Sequence, residues 1–381
     1  MCKPADLLAA LLLASWAWVA SATPFIPRDD DVVLAEVPPG TRHAELATRE
    51  LARERIDIAL PLARLYIKQA RTTGDLRFLG YADAVLEPWV RPDTTSADAL
   101  VLHATVLQSR HEFSQSLAVL ERARVLRPDD AQAWLITATV LRVLGQYDES
   151  LSACEHVALR ADNAVSELCT QSIHALTGDL PAAYAAILEI EASSMPDEVL
   201  AWRDSELGEM AVRLGRDVEA EQWFRSGLRS SPGDFYIRAA YADLLLRNRR
   251  PQEALTLLRG RETLEPLLLR IAIAQKMLRD SAVEQSGARL AAAFAAEAER
   301  GDGVHLREEA RFLLEVKDNP RAALTVAEEN WRVQHEADDV LVLLRAARAA
   351  GVPQAASPAI AFVREHRLQD VRVAAEMESQ S

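Results

Sequence analysis

Residues 99–125, ALVLHATVLQSRHEFSQSLAVLERARV, return 34 positions later as AWLITATVLRVLGQYDESLSACEHVAL, residues 133–159. Ala104-Thr105-Val106-Leu107 recur as Ala138-Thr139-Val140-Leu141. A repeat of this length constrains the fold more than any other feature. A unit that short cannot bury its own apolar face, so each must pack against the next, and the chain grows without closing a single core. The 381-residue length therefore does not set a domain count. The same order of residue types continues through Leu207-Gly208, Ala211, Gly215, Ala220, Phe224 and Pro232, and then through Ala242, Leu245, Arg249, Ala254 and Leu258. A weaker unit lies between, with Leu168 to Ala175 and Gly178 to Leu188 as its helices and an expected longer loop near Ser193 to Asp197.

Within a unit, apolar residues recur at helical spacing in two segments. Leu100 or Trp134 opens the first helix, Ala104 or Ala138 permits close approach, and His111 or Gly145 turns the chain. Phe113 or Tyr147 then starts the second helix, in which Ser116 or Ser150 is small again. Aromatic residues make up 6% of the chain, and only 14 glycines interrupt a composition that is 49% hydrophobic, which favours helix over sheet. Upstream, a helix is expected from Arg42 to Ile58, a second opened by Pro61 and running to Thr72, and a third from Leu76 to Glu87. Downstream, Pro266 to Leu278 should pair with Ser281 to Arg300, His305 to Val316 with Arg321 to Gln334, and Asp339 to Ala350 with Ala359 to Arg367.

Small residues at the helix crossing, a turn residue and a proline such as Pro128 after the second helix, all at a period of 34, resemble the tetratricopeptide repeat. The resemblance is strong for Asp98 to Leu258 and weaker from Leu46 to Arg367 as a whole. It implies an all-α fold, a right-handed superhelical α-solenoid of antiparallel helix pairs. The expected organisation is a signal peptide at 1–22, an extended or disordered lead-in at 23–41, N-terminal helices at 42–96, the core array at 97–260, divergent helical repeats at 261–370 and a disordered tail at 371–381.

The leader reading rests on Lys3, an apolar run from Leu7 to Ala20 and the Ala20-Ser21-Ala22 cleavage pattern, with the mature chain starting at Thr23. The run is short of the ~20 residues that cross a bilayer, so export to the periplasm or beyond, without stable membrane insertion, is expected. Cys2 would leave with the leader. A formal charge of −14 argues against a nucleic-acid partner.

No catalytic or phosphate-binding motif is present, and none of the eight histidines has the i, i+4 spacing that puts two ligands on one helical face. No cofactor and no metal are expected. The resemblance directs attention instead to the inner wall of the superhelix, lined by the first helix of each pair. Its positions give Arg142, Trp202, Glu209, Arg213, Tyr236, Asp243 and Arg247 as partner-binding candidates, the arginines facing a carboxylate-bearing or polar segment. Trp202 and Tyr236 either offer flat contacts to that partner or pack against the adjacent helix. By register, Cys154 on the second helix of one unit lies beside Cys169 on the first helix of the next. In an oxidising compartment a disulfide is the economical pairing, and two buried free thiols are the alternative. The functional expectation is an exported scaffold holding a segment of another envelope protein. The alternatives are an enzyme whose groups converge from distant helices and a purely structural spacer.

Overall fold

The computed structural model describes residues 41–193, 195–300 and 304–379. The expected leader and nearly all of the expected lead-in lie outside those residues. The chain divides into two units, 1–48 and 49–381, and α1 (Thr41–Glu54) begins in the first and ends in the second. The second unit holds nine helical hairpins in order: α2/α3 (Ile56–Thr73, Arg77–Leu86), α4/α5 (Ala97–Ser109, Phe113–Leu126), α6/α7 (Ala131–Val143, Tyr147–Ala158), α8/α9 (Asn163–His174, Leu180–Glu189), α10/α11 (Asp197–Arg213, Asp217–Ser230), α12/α13 (Phe235–Arg247, Pro251–Leu258), α14/α15 (Glu265–Leu278, Ala282–Arg300), α16/α17 (Leu306–Arg311, continued to Val316 by a π turn, and Pro320–Trp331) and α18/α19 (Ala337–Ala349, Ser357–His366). A last helix, α20 (Val371–Glu378), follows. No strand occurs among the described residues.

The repeat dictates how each hairpin closes. One residue after the first helix adopts the left-handed conformation in every pair: Gly74, His111, Gly145, Gly178, Gly215, Arg249, Arg279, Asp318 and Gly351. The next N–H then reaches back to a carbonyl in the last turn of the helix, as in Glu112 to Leu107 at 2.9 Å, Gln146 to Leu141 at 2.9 Å and Arg216 to Ala211 at 2.8 Å. This closure satisfies carbonyls that the helix end leaves free. First helices start on caps that accept from the first turn: Ser96 from Ala99, Asp130 from Ala133, Asp162 from Ala164 and Asp234 from Ile237.

At the crossings, Ala104, Ala138 and Ala242 are buried, as their spacing requires. The hydroxyls of Ser116 and Ser150 donate to the carbonyls of Ala104 and Ala138 at 2.9 and 2.7 Å, which explains why a small polar residue faces each alanine. At Gly208 a Cβ would come within 2.4 Å of the Phe224 ring, so glycine is the residue that admits that ring.

Successive hairpins form a superhelix whose turns stack directly on one another. The His335 N–H donates to Val143 O at 2.8 Å, and its ring Nδ1 meets Leu144 O at 3.1 Å across 191 residues. The Leu180 N–H donates to Gln369 Oε1 at 2.9 Å across 189 residues. Turn glycines make the fit close: Leu264 covers Gly74, Phe362 covers Gly145, Arg367 covers Gly178 and Val371 covers Gly215. The two hydrogen bonds span about 190 residues each, so between five and six 34-residue hairpins complete one turn.

Two expectations need correction. The break expected near Pro61 falls at Arg55, whose extended backbone (φ −129, ψ 105) separates α1 from α2. Pro61 sits inside α2, past the first turn, where its missing N–H removes one bond of the helical ladder. Residues 371–378 are not a disordered tail. They form α20, 34 residues after the start of α18, with Asp370 capping it, Val373 buried, and Glu376 held by Arg345 and Arg348 at 2.9 Å. The weak third unit does carry a longer connection, 190–196, before α10.

Candidate partner-binding groove

The first helices α6, α10, α12 and α14 present their charged positions to the inside of the superhelix, where α16 and α18 of the second turn face them. On α6, the guanidinium of Arg142 stands 4.0 Å from Glu206 of α10 and 3.8 Å from Glu336 before α18. Asp243 of α12 accepts from both nitrogens of the Arg311 fork, at 3.0 and 2.9 Å, and from Arg270 at 2.7 and 3.1 Å. Burial alone would raise its pKa, but Arg270 and Arg311 outweigh that and hold the carboxyl well below the usual range. Arg213 is buried and donates to the Ala175 carbonyl at 3.0 Å, with Asp370 of the second turn in electrostatic range. Arg247 pairs with Asp217.

Trp202 is half-buried, and its indole N–H donates to Glu206 at 3.2 Å, four residues on along α10. Glu209, one turn beyond Glu206, is pushed up to about 7 by burial and by the Glu206 charge, with the Tyr236 hydroxyl and Arg142 opposing. Tyr236 keeps 46% of its surface open. The charges in its range, Glu209, Glu336, Arg307 and Arg142, come from α10, the α18 cap, α16 and α6, so its open face looks into the groove and not out to the convex side.

Asp339 is the second carboxyl raised in this region, to about 6, chiefly by burial against the pull of Arg307. It is spent on structure: it accepts from Asn330 and Gln334 at 2.8 and 3.1 Å and caps Glu336 N at 2.8 Å. Glu209 and Asp339 therefore do not share an accessible space in which to act as an acid and base pair. Among the described residues no group of three or more His, Cys, Asp or Glu side chains could hold a metal ion.

Sequence reasoning thus brought seven residues to this region and missed what they touch. Glu206 was legible as the i+4 neighbour of Trp202. Arg270, Arg307, Arg311, Glu336 and Asp370 were not, because they belong to helices 60 or more residues away that return only through the stacking of turns, or to repeats whose consensus has decayed. Away from the groove, Cys154 and Cys169 are joined by a disulfide between α7 and α8, with Cα atoms 5.7 Å apart.

The geometry is that of a helical-repeat interaction protein, with an inner face of polar and aromatic side chains and an outer layer of second helices. A tetratricopeptide repeat family model matches residues 81–261, and that stretch of the chain is a tetratricopeptide repeat array. No curated protein matches it. Among solved structures, the APC/C hetero-tetramer Cut9-Hcn1 is 12% identical, with 89% of this chain and 68% of that one covered and a TM-score of 0.49. A tetratricopeptide repeat protein from Parabacteroides merdae is 11% identical, covering 78% and 99% of the two chains, with a TM-score of 0.37. PilF of Pseudomonas aeruginosa is 19% identical, covering 64% and 91%, with a TM-score of 0.30.

Proposed function

We propose that this protein is an exported scaffold that holds a segment of another envelope protein in its groove and so helps to assemble or regulate a complex. The observation that carries the reading is the half-open Tyr236 on the inner face, with half-buried Trp202 bonded to Glu206 on the neighbouring first helix α10. A rigid aromatic surface of this kind gives contact area at low entropic cost. Export is supported by the leader pattern of residues 1–22 and agrees with a buried disulfide, which persists in oxidising compartments.

A photo-crosslinking residue at Tyr236 should trap a discrete partner in intact cells, while the same probe at Val218, 74% exposed on the second helix α11, should not. Equal labelling from both positions would refute a groove-specific partner. For export, residues 1–40 fused to a periplasm-only reporter should be active and the mature chain should begin at Thr23; cytoplasmic protein retaining Met1 would refute it.

A further inference from the structure

The groove arginines are already spent inside the chain. Arg213 is given to a backbone carbonyl and Arg247 to Asp217. Arg270 and Arg311 close on Asp243. Arg307 lies 3.1 Å from Glu336 and 3.4 Å from Asp339. Arg142 is divided between Glu206 and Glu336 at 4.0 and 3.8 Å, too far to hydrogen-bond either. A carboxylate-bearing partner, which the arginines suggest when read from sequence, would have to break one of these pairs.

What remains unmatched has the opposite sign. Glu209 forms no ion pair among the described residues; the Tyr236 hydroxyl and, at longer range, Arg142 are what favour its charged form. Glu206 stands one helical turn away, bonded to the Trp202 indole. The two carboxylates and the two rings therefore adjoin, and one of the rings is half open to the groove. A flat aromatic wall beside anionic oxygen is the arrangement that recognises an organic cation, through ring quadrupole and charge together.

We infer, resting on the scaffold reading above, that the bound segment inserts a basic side chain, lysine or arginine, beside Tyr236 and Trp202 to pair with Glu209 and Glu206. The pairing supplies the direct ion pair that Glu209 lacks among the described residues, and the rings cover the aliphatic stem.

The test uses the mature protein labelled with 5-fluorotryptophan, the Trp202 resonance being assigned with Trp202→Phe. Flexible Gly/Ser decapeptides with one central lysine or arginine are titrated in, together with matched peptides carrying acetyl-lysine or citrulline. The charged peptides should shift the Trp202 signal to saturation and the neutral ones should not, with lysine and arginine compared directly to rank ammonium against guanidinium. Glu209→Gln should weaken binding about tenfold or more, as loss of a buried charge partner does. Asp129→Asn, which removes the same charge from an exposed site, should not. Equal response to neutral peptides, no response at all, or equal effects of the two substitutions would overturn the inference. Crosslinking of a partner through Tyr236 that survives in Glu209→Gln would overturn the cation site and leave the scaffold standing. Saturable binding of the charged peptides with no partner trapped would do the reverse.

Discussion

At the residue scale, two glycines in helices make opposite demands. A Cβ at Gly208 would sit 2.4 Å from the Phe224 ring, whereas at Gly287 the nearest neighbour would be the flexible end of Lys317 at 3.7 Å. Gly208→Ala should therefore destabilise by about 1 to 3 kcal/mol through overpacking, despite the better helix propensity of alanine. Gly287→Ala should stabilise by roughly 0.5 to 1 kcal/mol, since the propensity gain is unopposed. Urea denaturation of the two variants gives the signs directly. Glu209 and Glu308 set opposite pH windows. Glu209 titrates near 7 when folded and near 4.5 when unfolded, so the folded state binds the extra proton. Its contribution is fully present below about pH 4.5 and is lost as pH rises through 7. Glu308 is lowered to about 2, because Arg307 and Arg270 overcome burial, so its contribution is present above pH 4.5 and lost as pH falls through 2. Thermal melts of Glu209→Gln should lose the decline between pH 5 and 7 and keep the acid limb.

At the element scale, the hairpin is the unit that the sequence specifies, and the disulfide ties two of them. Cys154 and Cys169 bridge α7 to α8, linking the second repeat of the core array to the weaker third. Closing a loop of this size stabilises by about 3 kcal/mol in the chain-entropy model. Cys154→Ala with Cys169→Ala should lower the melting temperature, and reductant should then have no further effect on the variant while still lowering that of the parent. The last helix makes a second prediction. Since α20 buries Val373 and lies over Gly215 through Val371, stopping the chain after Asp370 should reduce stability and speed amide exchange in α18 and α19. A melt unchanged by that truncation would show that α20 contributes nothing to the stack.

At the scale of the whole second unit, the contact between superhelical turns decides which side chains can reach one another. Phe362 fills the space over Gly145, stacks on His335 with ring centroids 5.5 Å apart and meets Tyr147 at 5.9 Å. Phe362→Ala should loosen the second turn without unwinding the first. Hydrogen exchange should then quicken at the His335 and Leu180 amides, which donate across turns, while the α4 to α7 interior stays protected. Uniform acceleration along the whole array would mean that the two turns unfold as one.

What the sequence determined by itself is what a 34-residue neighbour relationship can encode. Ala104, Ala138, Gly208 and Ala242 at crossings, Ser116 and Ser150 opposite them, the left-handed turn residues, and Cys154 beside Cys169 all lie within one repeat of their partners. Periodicity therefore reveals them. The seven groove residues were legible as positions on the first helices, but their partners were not. Arg142 meets Glu336, Asp243 meets Arg311 and Arg213 faces Asp370 only because the superhelix closes a turn every 190 residues or so and lays its later hairpins across the earlier ones. That pitch is the sum of small rotations between successive hairpins, each fixed by side-chain packing and none carried by a motif. The tertiary structure alone thus decided that the arginines are spent, and that the charge left for a partner to meet is the carboxylate of Glu209.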